Sequence, residues 1–214
     1  MMKRGRAIFF DVDGVLAHGY SARPDLQHPW DVTLEADLGV NADRFREEFI
    51  FGVFSERVIV GEMPLIDALS RALPGLGYSG SPMEFVRYWL SRDSKLNSEL
   101  IEKVRLIRAH SETRLFIATN QEHLRAHWLW QGLGLHELFD DIYYSARLKV
   151  TKPSPVFFER ISEGIGPQGE PPLLVDDRLD CIESARACGW EGLHFAIIDD
   201  LYDHEWFADI LRDD

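Results

Sequence analysis

Three short apolar runs, each ended abruptly by polar residues, constrain the fold of this chain more than any other feature. They are Ala7-Ile8-Phe9-Phe10 before Asp11-Val12-Asp13-Gly14, Leu115-Phe116-Ile117-Ala118 before Thr119-Asn120, and Leu173-Leu174-Val175 before Asp176-Asp177. Continuous apolar runs of this length are typical of strands that are buried on both faces. Two weaker strand candidates are Ile142-Tyr143-Tyr144 and Leu193-His194-Phe195-Ala196-Ile197.

Helical patterns separate these runs, at Gln121 to Gln131, Pro155 to Gly164 and Leu179 to Ala187. Strands that alternate with helices predict an α/β fold, here a doubly wound, Rossmann-like parallel sheet with helices on both faces. Ligands of such sheets bind in the crevice outside the carboxyl ends of the strands. The sequence therefore predicts that one set of polar residues converges on a single crevice: Asp11, Asp13, Thr119, Asn120, Asp176 and Asp177.

The stretch from about Val15 to Asp93 interrupts this alternation, because it has the pattern of successive helices without a convincing buried strand. Helix starts are indicated by Asn41, by Ser81-Pro82-Met83-Glu84 and by Asn97. We therefore expect an α/β core at residues 1–14 and 98–214, with a helical cap inserted at residues 15–97. Short crossings near residues 15–20 and 92–97 would join the two parts.

The charge balance and the cysteine content exclude several classes of protein. The 214 residues include 23 Lys plus Arg and 36 Asp plus Glu, a formal net charge of −13, which argues against a nucleic-acid-binding surface. No run approaches the roughly 20 apolar residues of a membrane span. Two cysteines are too few for a disulfide framework, so we expect a cytoplasmic protein. With nucleic acid and membrane disfavoured as partners, a small molecule is the expected ligand.

Four motifs occur along the chain in the order found in one enzyme superfamily. Asp11-Val12-Asp13-Gly14-Val15 resembles the first motif of the haloacid dehalogenase-like hydrolases, and Phe116-Ile117-Ala118-Thr119-Asn120 resembles the second. Lys152-Pro153-Ser154-Pro155 and Asp176-Asp177-Arg178 resemble the third and fourth. The resemblance implies a capped, phosphatase-type member that hydrolyses a small phosphorylated metabolite with Mg²⁺. Dehalogenases of the family need no second aspartate at the place of Asp13, so that residue favours phosphate chemistry.

The chemistry of these side chains agrees with that expectation. A carboxylate at a strand end, Asp11, can attack phosphorus and form an aspartyl phosphate. The neighbouring Asp13 can protonate the leaving oxygen and later accept a proton from water. Lys152 supplies positive charge, and it is expected to bind the phosphoryl oxygens together with Thr119 and Asn120.

A divalent cation is also expected, because several aspartates and a phosphate repel one another by kilocalories per pair even at moderate dielectric. Mg²⁺ prefers oxygen ligands, so Asp11, the backbone carbonyl of Asp13 and one late aspartate would suit it. By resemblance to members of the family that carry two adjacent acids in this motif, we expect Asp177 to bind the ion directly. Asp176 is then expected to lie next to the direct ligands without contacting the ion.

Other functions are open at this point. A β-phosphoglucomutase-like phosphotransferase would keep every core motif, and a non-catalytic binding module could share the fold. A signalling receiver domain is disfavoured, because its adjacent acidic pair ends the first strand and it has no cap. Specificity would depend on cap side chains, for which the candidates are His18, Arg23, Arg57, Arg87 and Trp89.

Overall fold

Five parallel strands form the centre of the computed structural model, which describes residues 6–19, 21, 25 and 27–211. With the strands numbered in chain order, they are β1 (Ala7–Phe10), β4 (Arg114–Thr119), β5 (Asp141–Tyr144), β6 (Leu173–Asp176) and β7 (Glu191–His194). Their order in the sheet is β5-β4-β1-β6-β7. The chain therefore adds strands on one side of β1 and then crosses it to add strands on the other. This confirms the predicted doubly wound α/β fold.

The registers show how β1 comes to lie at the centre of the sheet. Phe9 lies opposite Phe116 of β4 on one side and Leu174 of β6 on the other. All four residues of β1 are fully buried. Successive side chains of a strand point to opposite faces, so a strand covered on both faces must be apolar throughout. The continuous run that predicted this strand has that cause.

Two hydrophobic clusters cover the two faces of the sheet. Ile8 and Phe10 pack with residues of α5 (Ser98–His110) and α10 (Glu205–Leu211). Ala7 and Phe9 pack with residues of α8 (Pro155–Ile165) and α9 (Leu179–Ala187). The predicted helices at Pro155 and Leu179 are confirmed, and the one predicted from Gln121 starts later, as α6 (His123–His127) extended by a wider turn over Trp128–Gly132. Short helical pieces complete this part of the chain: α7 (Ser145–Leu148) and 3₁₀ turns at Leu135–Glu137 and Ile198–Asp203.

The last strand differs from the prediction of Leu193 to Ile197. It begins at Glu191 and ends at His194, because the carboxylate of Asp200 accepts the backbone N–H groups of Ala196 (2.6 Å) and Ile197 (2.8 Å) and turns the chain away. The start was missed because a glycine occupies the second position of the strand. A Cβ atom on Gly192 would lie 2.8 Å from the Ile182 side chain of α9, so a larger residue would not fit there.

Between two short strands, β2 (Ala17–His18) and β3 (Lys95–Leu96), the chain forms the helical unit, by which we mean residues 30–93. Its helices are α1 (Leu34–Leu38), α2 (Ala42–Phe45), α3 (Leu65–Ala72) and α4 (Pro82–Arg92), and the segment Arg46–Val58 continues α2 in wider turns with a break at Gly52. The predicted caps are confirmed: the side chains of Asn41, Ser81 and Asn97 each accept a backbone N–H of the helix that follows.

The helical unit has its own hydrophobic cluster, centred on Phe45, Phe49, Phe85 and Trp89. The two strands that flank it pair antiparallel, Ala17 with Leu96 and His18 with Lys95, and they form the two expected crossings side by side. The boundaries of a cap at residues 15–97 stay a prediction. Over residues 6–19, 21, 25 and 27–211, no helix is long and apolar enough to cross a membrane.

Candidate active site

Asp11, Asp176 and Asp177 meet at the carboxyl end of the sheet, where β1 and β6 lie side by side. Each of them offers one carboxylate oxygen, and these three oxygens all lie within 4.8 Å of one another. All three residues are buried. Since three close negative charges repel one another, the arrangement needs compensating cations.

Lys152 supplies one of these cations. Its ammonium group lies 3.0 Å from Asp11 Oδ1 and 2.6 Å from Asp176 Oδ2, and the side chain is buried. Burial alone would lower the pKa of Lys152, but the charges of Asp11 and Asp176 raise it above its usual range. The other oxygen of Asp176 accepts the backbone N–H of Arg178 at 2.9 Å. Asp176 is thus bonded through both of its oxygens, as suits a residue that orients its neighbours.

Burial disfavours the ionised form of Asp11. Its Oδ1 accepts the backbone N–H of Val12 at 2.7 Å and also faces Lys152. Burial nevertheless raises the pKa of Asp11 to about 7, with Lys152 opposing the shift and the neighbouring aspartates adding to it. A buried, partly desolvated carboxylate at a strand end is suited to nucleophilic attack.

The absence of a side chain at Gly14 allows the carboxylate of Asp177 to lie against the backbone that follows β1. Gly14 has a positive φ of +81°, and a Cβ atom added there would lie 2.2 Å from Asp177 Oδ2. The same carboxylate oxygen accepts the hydroxyl of Ser21 at 3.1 Å. Gly14 is therefore needed twice, for the turn of the backbone and for the close approach of Asp177.

Substituting Gly14 with alanine should destabilise the protein by more than the same change at Gly39, which serves as a matched control. Gly39 also has a positive φ, of +70°, but nothing lies within 4 Å of its virtual Cβ. A forced positive φ costs about 1–2 kcal/mol at either site, and displacing Asp177 should add roughly 1–3 kcal/mol at Gly14 alone. Chemical denaturation of the two variants measures the difference. Equal losses would show that the contact with Asp177 carries no constraint.

Asp13 lies in an arrangement that the sequence did not reveal. Both of its carboxylate oxygens bond to the guanidinium of Arg125, at 2.7 and 2.8 Å, and Oδ2 also accepts the side-chain N–H of Gln121 at 2.7 Å. Burial would raise the pKa of Asp13, but the charge and hydrogen bonds of Arg125 and the bond from Gln121 lower it overall. Asp13 is therefore held as an anion in a fixed orientation.

Arg125 joins this anion to the end of the helical unit. Its guanidinium donates to the backbone carbonyl of Asp93 at 3.0 Å, and its Nε lies 3.2 Å from Asp93 Oδ2. Burial raises the pKa of Asp93 to about 6, with Arg125 opposing the shift. Gln121 and Arg125 lie four residues apart around the start of α6, a spacing that puts them on one side. That spacing was readable in the sequence, but their burial was not.

The two polar residues after β4 have different surroundings. The hydroxyl of Thr119 is buried and accepts a weak bond from Gln121 at 3.3 Å. The side chain of Asn120 bonds to the backbone of Lys152 at both ends: it accepts the N–H at 2.8 Å and donates to the carbonyl at 3.0 Å. Asn120 thus fixes the loop that carries Lys152, and its predicted role in phosphate binding stays a prediction, as does that of Thr119.

The five candidate specificity residues lie in different places. Trp89 lines a cavity between the helical unit and the sheet, and His18 lines a second cavity beside Gly14. Arg57 is exposed near Glu62, and Arg87 lies in another cleft with Leu124 and Trp128. Neither arginine is among the residues that line the cavities beside the aspartates. Arg23 lies outside the described residues.

Comparison with known proteins decides the family. The model of the haloacid dehalogenase-like hydrolases matches residues 6–189, from the start of β1 to beyond α9. The chain belongs to the haloacid dehalogenase-like hydrolases. A shorter similarity, 36% identity over 58 residues, links it to the sesquiterpene phosphatase astK of Aspergillus oryzae. That match spans 27% of this chain and 30% of the fungal protein.

Solved structures of this hydrolase family share the fold at low sequence identity. The enzyme bt-2542 of Bacteroides thetaiotaomicron has a TM-score of 0.69 at 17% identity, and the match covers 89% of this chain and 93% of the bacterial one. Another structure of that enzyme is a complex with magnesium and inorganic phosphate, with a TM-score of 0.67 at 15% identity over 88% and 92% of the two chains. The HAD hydrolase YfnB of Bacillus subtilis, bound to magnesium, has a TM-score of 0.62 at 16% identity over 94% and 98%.

Proposed function

We propose that this hydrolase cleaves small phosphate monoesters through an aspartyl phosphate on Asp11, with Mg²⁺ as cofactor. The observation that carries the proposal is the position of Asp11, a buried carboxylate 3.0 Å from a lysine and grouped with Asp176 and Asp177. A phosphorylated metabolite of the cytoplasm is the expected substrate. Cys181 and Cys188 are free thiols, which suits a reducing compartment.

The donor set fits Mg²⁺, because three buried carboxylates present oxygens within 4.8 Å of one another and hard divalent cations prefer oxygen ligands. Asp11 and Asp177 would hold the ion directly, with the backbone carbonyl of Asp13. Asp176 would stay bonded to Lys152 and to the backbone of residue 178. When bound, Mg²⁺ would offset the charge of the phosphoryl oxygens and make phosphorus more open to attack.

In the first step, a carboxylate oxygen of Asp11 forms a bond to phosphorus while the bond from phosphorus to the ester oxygen breaks. Asp13 gives its proton to the departing oxygen, which leaves as an alcohol. Because Arg125 keeps Asp13 ionised in the absence of substrate, protonation needs a further influence. An approaching phosphate dianion raises the pKa of Asp13, because a nearby negative charge disfavours the carboxylate, and Asp13 then takes up a proton from solvent.

In the second step, water attacks the phosphorus of the aspartyl phosphate, and the bond from phosphorus to Asp11 breaks. Asp13, now a carboxylate, accepts the proton that the water loses. The bonds from Arg125 and Gln121 orient Asp13 for this task. Inorganic phosphate leaves, and Asp11 is regenerated. Lys152 stays charged throughout and counters the phosphoryl charge.

The comparisons support phosphate chemistry in two ways. The partial relative from Aspergillus is named as a phosphatase, and bt-2542 was solved with magnesium and inorganic phosphate. The retained Asp13 supports the same conclusion from chemistry, since a second carboxylate beside the nucleophile has a use when the leaving group needs a proton.

Residues 15–97 would act as a cap over this site. Contacts between described residues tie the helical unit to the core, among them Arg125 to the carbonyl of Asp93, Ser145 Oγ to the carbonyl of Ile59 at 2.6 Å, and Lys149 to the carbonyl of Gly61 at 2.8 Å. Closure of such a unit excludes water from the reacting phosphate.

The deciding experiment is the hydrolysis of a broad panel of phosphate esters with and without Mg²⁺. Release of inorganic phosphate that needs Mg²⁺ supports the proposal. Transfer of the phosphoryl group between positions of a sugar, without release, would instead identify a phosphotransferase like β-phosphoglucomutase. No turnover of any ester would favour a non-catalytic binding module.

Millimolar Mg²⁺ is expected to raise the melting temperature. A cation that binds only the folded chain stabilises it by roughly 2.7 kcal/mol at 100 times its Kd. The rise should be larger at about pH 8 than at about pH 5.5, because protonation of Asp11 competes with metal binding. Thermal melts at constant ionic strength measure it. The substitution Asp177→Ala should abolish the rise in melting temperature, and Asp176→Ala should reduce it less. A rise that persists in Asp177→Ala would show that the metal binds at other residues.

A further inference from the structure

A cavity of about 250 Å³ lies between the helical unit and the carboxyl end of the sheet. On the sheet side it is lined by Asp13, Asn120, Gln121 and Arg125. The cavity therefore begins at the carboxylate that would protonate the leaving group. Whatever group is attached to the ester oxygen must lie close to Asp13, so this cavity is positioned to receive it.

The helical unit supplies a wall of aromatic and aliphatic side chains. Trp30 and Trp89 stack with ring centres 5.0 Å apart, and Phe54 contacts Trp89 at 5.6 Å. Phe45 closes the back of this wall, with its ring 5.8 Å from that of Trp89. The remaining apolar lining residues are Ile50, Phe51 and Ile59. A surface of this composition gains free energy by contact with apolar groups.

The polar side chains of the lining are mostly bonded to one another. Arg46 donates to Asp31 at 2.8 Å, and Arg125 pairs with Asp13. Gln121 donates to Asp13 and accepts from Arg125.

Among the described residues, Arg125 Nε is buried without a hydrogen bond but lies 3.2 Å from Asp93 Oδ2, and the buried Oδ1 of Asp93 likewise makes no hydrogen bond. That oxygen lies 3.3 Å from the virtual Cβ of Gly19, which does not line this cavity. The cavity therefore offers few partners to the hydroxyl groups of a sugar, and buried hydroxyls without partners are costly.

From this cavity we infer that the preferred substrate is the phosphate monoester of an apolar alcohol, whose carbon skeleton lies against Trp30, Phe54 and Trp89. The inference rests on the proposed function and narrows it, since it names the chemical class of the leaving group. On entering the cavity, the hydroxyl groups of a polyol phosphate would lose their hydrogen bonds to water, and the apolar lining could not replace them. An apolar ester gives up only unfavourable contacts with water.

Phe51 gives the cleanest variant for testing this inference. It lines the cavity but is 70% exposed, and it precedes the helix break at Gly52, so its side chain lies at the rim. The substitution Phe51→Asp changes the lining without opening a hole in the core. Val32→Asp is the matched control, because Val32 is 77% exposed in the same helical unit and is not among the lining residues.

The experiment compares kcat/KM for octyl phosphate and 2-phenylethyl phosphate with kcat/KM for glycerol 3-phosphate and glucose 6-phosphate, all with Mg²⁺. Methyl phosphate serves as the substrate that lacks a side group. We expect the two apolar esters to exceed the two polyol esters by about tenfold or more. We expect Phe51→Asp to lower kcat/KM for the apolar esters by about tenfold relative to methyl phosphate, and Val32→Asp to leave that ratio unchanged.

Three results would overturn the inference while leaving the proposed phosphatase intact: a preference for the polyol esters, no effect of Phe51→Asp on the apolar esters, or equal losses from Phe51→Asp and Val32→Asp. A preference for polyol esters would point instead to the second cavity, of about 390 Å³, which is lined by His18, His28 and Glu99. Failure of every ester, methyl phosphate included, would overturn the proposed function itself.

Discussion

Replacing Asp11 with asparagine is expected to abolish turnover of every phosphate ester while the fold stays intact. An amide is a poor nucleophile, and it is also a poor ligand for Mg²⁺. Loss of the attacking group of a covalent enzyme costs roughly 10⁶-fold in kcat. The substitution is close in size to the aspartate, so packing at the end of β1 should not change.

The stability of the Asp11→Asn variant provides a check on the site. The pKa of Asp11 is raised to about 7, so its ionised form is disfavoured in the folded protein. The penalty is absent below the unfolded pKa of about 3.9 and grows as the pH rises towards 7. Removing the charge should therefore leave the metal-free protein at least as stable at neutral pH. Lys152 keeps its bond to Asp176, at 2.6 Å.

Phosphate release and thermal melts measure these outcomes, with Asp67→Asn as the matched control. Asp67 is an exposed residue in the first turn of α3, so the same chemical change there should leave activity unchanged and cost at most about 1 kcal/mol of stability. In the wild type, rapid quenching followed by mass spectrometry should detect a phosphate adduct on the peptide that contains Asp11. Activity near the wild-type level in Asp11→Asn, with intact protein, would refute the covalent mechanism.

Much of this arrangement could be predicted from the sequence, because local patterns and topology determine it. The strands β1, β4 and β6 are apolar throughout since both faces of the sheet are covered. The polar residues that end them must then meet at one edge. Caps such as Asn97 are equally local, since a side-chain oxygen near a helix start satisfies a free N–H in the next turn.

The parts that could not be predicted depend on long-range contacts of residues with no distinctive local pattern. Arg125 belongs to the stretch from Gln121 to Gln131, whose pattern predicted a helix but not the burial of this arginine. It is buried because Asp13, 112 positions earlier, and Asp93 both need a cation. Asn120 similarly bonds to the backbone of Lys152, 32 residues away. Such partners follow from the three-dimensional arrangement and not from spacing along the chain.

Replacing Asp13 with asparagine is expected to lower kcat by about 10² to 10⁴-fold, the usual range for a general acid or base. Two steps would suffer, but to different degrees with different substrates. An alkyl phosphate needs a proton on its departing oxygen, whereas p-nitrophenolate leaves without one. The first step should therefore be much less impaired with p-nitrophenyl phosphate than with octyl phosphate.

Hydrolysis of the aspartyl phosphate still lacks its base in Asp13→Asn, whatever the leaving group was. With p-nitrophenyl phosphate, the variant should release one equivalent of p-nitrophenol rapidly and then turn over slowly, while the phosphorylated peptide accumulates. The wild type should accumulate far less of the phosphorylated peptide than the variant. Because only the backbone of Asp13 is proposed to hold the metal, the rise in melting temperature with Mg²⁺ should persist in the variant. Equal impairment with both esters and no trapped intermediate would show that Asp13 is held by Arg125 for structural reasons and transfers no proton.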